Sequence, residues 1–143
     1  MRWGRGSGGN GTSDGVSALT VNDLDRLADA RLQDAEALLA AGRYDGARYV
    51  CGYAVELKLK ARISRAHGWT TYPPAALAKT LKTHDLEVLL LLSTMHATIF
   101  SGYAGHWSIA VEWNPEQRYD VAPVTAQDAQ TMIDATRALV AVL

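Results

Sequence analysis

Apolar positions recur along this chain at helical spacing in four stretches, and one of them carries twice the usual share. From Leu24 through Ala28, Leu32, Ala35, Leu38 and Leu39 a single stripe runs up to Gly42, which predicts an amphipathic first helix. Thr20 with Asp23 three residues on makes a variant capping box, Leu19 and Leu24 make a hydrophobic staple, and Gly42 suits the C′ position. The second helix follows within a few residues, capped by Asp45, so the two are expected to form an antiparallel hairpin. In it Cys51, Val55, Leu59 and Ile63 form one stripe, while Ala47, Val50, Ala54, Leu57 and Ala61 form another. A helix facing water on one side needs a single apolar stripe of about 100°. Two stripes predict a central helix packed on both sides, with a second copy of the chain or a partner as a candidate for one of them.

Beyond His67-Gly68 the pattern fades, and Tyr72-Pro73-Pro74 forces an extended turn. Residues 69–82 read as a connector holding a short helix around Ala75 to Leu81. Thr83 is the expected cap of a third helix beginning at His84, with Leu86, Leu89, Leu90 and Ser93 on one face and Val88, Leu92, Met95 and Ile99 on another. Ser101 to Pro123 reads as a long loop whose aromatics, Tyr103, Trp107, Trp113 and Tyr119, make it pack rather than float. Thr125 and Asp128 cap a last helix running through Met132, Ile133, Leu139 and Val140. No stretch alternates with period two in strand-forming residues. The predicted fold is an all-α, up-and-down bundle of four main helices over residues 19–143, with the aromatic loop before the last helix. Residues 1–18 hold six of the chain's twelve glycines and read as a disordered tail, although Arg2, Trp3 and Arg5 could stack on and pair with RNA.

Composition narrows the function classes. A net charge of −1 over 143 residues gives no global basic field for nucleic acid or an anionic membrane. The single cysteine, Cys51, leaves no disulfide framework and no thiolate zinc site, and its place on an apolar stripe makes it a core residue. No run approaches the roughly 18 apolar residues of a membrane span, and the N-terminus has no apolar signal region. The expectation is a cytoplasmic protein with no membrane contact.

The stretch LLAAGRYDGARYVCGYAVELKLKARI, the THDL at the start of the third helix and the tryptophan followed by NPEQRY together resemble the HEPN domain family over residues 22–143. The resemblance implies a compact helical bundle that is often dimeric. It implies a place in prokaryotic toxin–antitoxin or defence systems, either as a metal-independent ribonuclease or as the partner of a small nucleotidyltransferase. Nuclease members carry an arginine followed four to six residues later by a histidine near the start of the last main helix. Here Arg118 stands at about that place but is followed by Tyr-Asp-Val-Ala-Pro-Val-Thr. The literal match, Arg62 to His67, lies at the end of helix two, where His67 suits a C-terminal residue facing the helix dipole. The reading is therefore a dimeric partner or binding module for a nucleotidyltransferase, RNA or a nucleotide, and the alternative is a ribonuclease with a displaced site.

Metal-free RNA cleavage needs a base, an acid and a cation for the phosphate. His84 is the candidate base because histidine titrates near neutrality, and Asp85 beside it can orient the ring or favour the helix start. Arg118 can clamp a phosphate while Tyr119 or Trp113 stacks on a base. Equally, Arg118 can pair with Glu56, which sits mid-helix among apolar neighbours and needs a partner. Arg48, Lys58, Lys60, Arg62 and Arg65 spread around helix two and read as a solvated surface. His96 and His106 lack the spacing of a metal site, no phosphate-cradling glycine loop is present, and no cofactor is implied. The hairpin also looks like part of a tetratricopeptide unit, but no second copy follows at about 34 residues.

Overall fold

A computed structural model describes residues 19–143, and the glycine-rich stretch 1–18 lies outside them. The chain folds as the expected all-α bundle. Its long helices are α1 (Val21–Ala40), α2 (Tyr44–His67) and α7 (Ala126–Val142), with α3 (Ala78–Leu81), α4 (Leu86–Leu92), α5 (His96–Gly102) and α6 (Ala104–Ala110) between them. Thr20 and Thr125 each accept from the backbone N–H three residues on, while Asp23 and Asp128 bond back to the cap N–H. Both boxes thus form as the sequence predicts. Those bonds hold both aspartates below the ordinary carboxylate range, the Thr20 hydroxyl being the largest cause at Asp23 and the Thr125 backbone N–H at Asp128. Thr125→Ala should cost about 1 kcal/mol and lower the melting temperature by about 4 °C. An unchanged melt followed by circular dichroism would show that the box contributes nothing.

α2 is the central element, packed on α1, α7 and α4. Its first stripe is fully buried, and so are Ala47, Ala54 and Ala61 of the second. Val50 and Leu57 are only half-buried. The bundle itself therefore uses most of the double apolar face, and alanines make that possible by letting the neighbouring helix approach closely. Gly42 turns the hairpin with φ 74° and Gly68 ends α2 with φ 67°, left-handed positions that a residue without Cβ takes at little cost.

Three local expectations are corrected. α2 starts at Tyr44 after Arg43, with no side-chain cap, so Asp45 lies inside the first turn. The third helix starts at Leu86 under Asp85, whose carboxylate accepts from the Glu87 and Val88 N–H groups, and Thr83 accepts from Asp85 instead of capping. That helix also breaks at Ser93-Thr94. The buried Ser93 hydroxyl donates to Leu90 O and accepts from Met95 N, and Thr94 sits at φ 65°. A hydroxyl offering both bonds competes with the helix ladder, which splits one predicted helix into α4 and α5.

The predicted aromatic loop is largely helical, comprising α6 and a 3-10 turn over Pro115–Tyr119. The connector carries the short helical segments expected of it, Ala75–Leu77 and Ala78–Leu81. One feature had no sequence signal: β1 (Leu19–Thr20) pairs antiparallel with β2 (Thr71–Tyr72). This bridge ties the start of α1 to the connector.

Candidate functional site

The polar chemistry of this bundle converges on Glu56, at the middle of α2. Its side chain is 4% exposed, and Oε1 accepts both from Lys60 Nζ at 2.6 Å and from His84 Nδ1 at 2.8 Å. Oε2 is buried with no hydrogen-bond partner among the described residues. Lys60 comes from one turn further along α2, and its ammonium also lies over the Tyr72 ring, 5.5 Å from the centroid. His84 arrives from the segment just before α4, held there by the Asp85 cap that fixes where the helix begins. Its side chain is 57% exposed. With Nδ1 committed to Glu56 as donor, Nε2 is the ring atom left for other partners.

An aromatic cluster backs the histidine. Tyr53, one turn before Glu56, stands edge-on to His84 and to Trp113, with centroids 6.4 and 4.8 Å away. The Tyr53 and Tyr49 hydroxyls are 2.9 Å apart. Burial first and the Tyr49 hydrogen bond second push Tyr53 up to about 12, so its phenol keeps its proton at neutral pH. Trp113 donates Nε1–H to Tyr49 O at 2.8 Å and lies directly on Gly52, whose missing side chain makes room for the ring.

His84 opens onto a cleft of about 480 Å³, also lined by Asp85, Glu87, Glu112, Trp113 and Asn114. Asp85, Glu87 and Glu112 make no ion pair among the described residues, and no lysine or arginine lines the cleft. Its field is therefore negative.

The predicted site residues are brought together in part. His84 and Glu56 bond directly, Asp85 caps the helix beside them and Trp113 lines the same cleft while serving mainly as packing. Arg118 does not pair with Glu56 as expected. Its Nη1 donates to Pro115 O at 3.2 Å, its Nη2 lies 3.9 Å from Glu116, and its guanidinium sits 4.7 Å from the centre of the Tyr119 ring. Hydrogen bonding to Tyr119 first and to Tyr49 second raises its already high pKa further. The reason is reach: the 3-10 turn over Pro115–Tyr119 points Arg118 along the loop, and Lys60, four residues from Glu56, takes the place nearer to hand.

Lys60 is the residue that sequence reasoning misplaced on a solvated surface. The i, i+4 spacing of Glu56 and Lys60 was the available signal. Lys58 and Arg65 are likewise committed, both to Asp25 of α1. Together they keep the Asp25 carboxyl below its ordinary range against its partial burial, which acts the other way. Cys51 is fully buried, and burial raises its thiol to about 11, which leaves it no thiolate for chemistry at neutral pH.

Among the described residues no group of three or more His, Cys, Asp or Glu is placed to hold a metal ion. Nor is any helix long and apolar enough to cross a membrane. No curated protein and no solved structure matches the chain. A family model does: the HEPN domain matches residues 21–143, the same span that forms the bundle and carries Glu56, His84 and Trp113. On that match the chain belongs to the HEPN domain family.

Proposed function

We propose that this protein is the dimeric binding component of a prokaryotic toxin–antitoxin or defence pair, taking up a partner protein such as a nucleotidyltransferase through the cleft beside His84. The observation that carries this reading is the charge of that cleft. Asp85, Glu87 and Glu112 line it with no lysine or arginine among its walls, so it disfavours the phosphates of RNA and favours a basic protein surface. Glu56 and Lys60 point the same way, since each already spends its charge inside the protein.

A second reading, a metal-independent ribonuclease, rests on one specific feature. Glu56 holds His84 Nδ1 as a buried carboxylate holds the base in hydrolytic triads, leaving Nε2 free to take a proton. The test is labelled RNA incubated with the purified protein and chelator. We expect the RNA to stay intact. Cleavage that His84→Ala and Arg118→Ala both abolish would establish the ribonuclease instead.

A further inference from the structure

Six of the seven residues of α4 are apolar, more than one side of a helix can bury. Leu86, Leu89 and Leu90 face the bundle, where α4 packs on α2, and are buried. Val88 and Leu91, three residues apart on the opposite side, stay 43% and 65% exposed. A helix this short has little stability of its own, and two branched side chains facing water add none. Glu87 lies on the same outer side, next to Val88 and one turn before Leu91, and it also lines the His84 cleft. The apolar pair is therefore a continuation of the cleft along α4. It stops at Leu91 because the helix breaks at Ser93-Thr94, with Thr94 at φ 65°, a position that a β-branched residue takes only under strain.

We infer that Val88 and Leu91 anchor the apolar side of a basic amphipathic segment of the partner, whose lysine or arginine side chains reach into the cleft. The inference rests on the partner-protein reading above and gives that partner's chemistry.

Charge complementarity selects the occupant. Asp85, Glu87 and Glu112 line the cleft without a lysine or arginine beside them, so an acidic or phosphate-bearing surface is repelled just where the apolar pair would be covered. A second copy of the chain is disfavoured for the same reason, because a twofold contact on this face sets carboxylates against carboxylates. A segment with apolar side chains along one side and cations beside them matches both halves at once. The footprint is small, α4 being about 10 Å long, which suits a single helix laid across it with its apolar anchors one turn apart.

Fluorescence anisotropy with labelled model peptides tests this, the probe being a leucine–lysine peptide of helical spacing. The controls are a leucine–glutamate peptide of the same spacing and a lysine–glutamine peptide without leucine. The wild type should bind the probe about tenfold or more tightly than either control. Val88→Ser/Leu91→Ser should remove its preference over the lysine–glutamine peptide, and Glu87→Gln/Glu112→Gln its preference over the leucine–glutamate peptide. Val121→Ser, which removes an apolar side chain 97% exposed and outside the cleft, should change nothing, and circular dichroism shows that each variant is folded. Equal binding of the two lysine peptides, indifferent to Val88→Ser/Leu91→Ser, would overturn the anchor and leave the acidic-cleft reading standing. Failure of both lysine peptides to bind would overturn that reading as well. A leucine–glutamate peptide that binds as tightly as the probe would overturn the charge selection and with it the inference. A smaller mass for Val88→Ser/Leu91→Ser than for the wild type in sedimentation would give the face to a second copy instead.

Discussion

Gly52→Ala should be among the most damaging single-methyl changes in this protein. A Cβ at residue 52 would stand inside the Trp113 ring, against Cγ, Cδ2 and Cε2. Neither side can give easily. Gly52 is mid-helix in the most deeply packed element, and Trp113 is 4% exposed with its N–H bonded to Tyr49 O. The ring must leave, and overpacking costs of about 1–3 kcal/mol give way to the loss of a buried tryptophan, about 3–5 kcal/mol.

The expected result is a drop in melting temperature of 10 °C or more, with tryptophan emission shifted to the red. A double-mutant cycle separates this cause from a generic helix effect. In a Trp113→Ala background the same Gly52→Ala change should be harmless, or should stabilise by about 0.5–1 kcal/mol, because alanine is the better helix former. Equal losses in both backgrounds would show that the ring is not what the glycine serves.

That pair also shows where the sequence stops being legible. Stripes, caps and the Gly42 turn depend on residues close in the chain, and from them α1, α2 and α7 could be placed along with the bundle they form. Gly52 sits in the same helix, yet nothing local explains it, since a glycine there costs helix stability. Its reason, Trp113, lies 61 residues further along the chain. The broken third helix shows a related limit. Ser93 falls on an apolar face in the sequence, and a hydroxyl there carries no signal until the backbone beside it offers both a carbonyl and an N–H.

For the candidate site, the residue types were readable and the pairings were not. Glu56 needed a partner, His84 offered titratable chemistry, and Trp113 offered an aromatic face. Glu56 pairs with Lys60 rather than Arg118 because the 3-10 turn over Pro115–Tyr119 holds Arg118 along the loop. The acid-lined cleft has no signal in the sequence either, because Asp85 and Glu87 meet Glu112 only in the folded chain.

The Glu56 cluster itself makes an asymmetric prediction. Lys60→Met should destabilise by about 3 kcal/mol, because it strips the nearest cation from a carboxylate that cannot reach water. Glu56 is 4% exposed and its Oε2 already lacks a partner, so its remaining stabilisation would fall to His84. Glu56→Leu should cost less than half as much. Lys60 has a long stem that can carry its ammonium to the surface, His84 is already 57% exposed, and the leucine fits the apolar surroundings of mid-α2 without an orphaned oxygen. The double variant Glu56→Leu/Lys60→Met should then melt close to Glu56→Leu alone, since the methionine no longer strands a charge. Urea titrations of the three variants give the comparison directly. A Lys60→Met protein as stable as the wild type would mean that Oε2 is satisfied by something other than protein. A Glu56→Leu protein worse than Lys60→Met would mean that the carboxylate organises the site rather than merely tolerating its burial. In that case His84 should also lose its fixed place, visible as a loss of the coupling between its ring resonances and those of Tyr53.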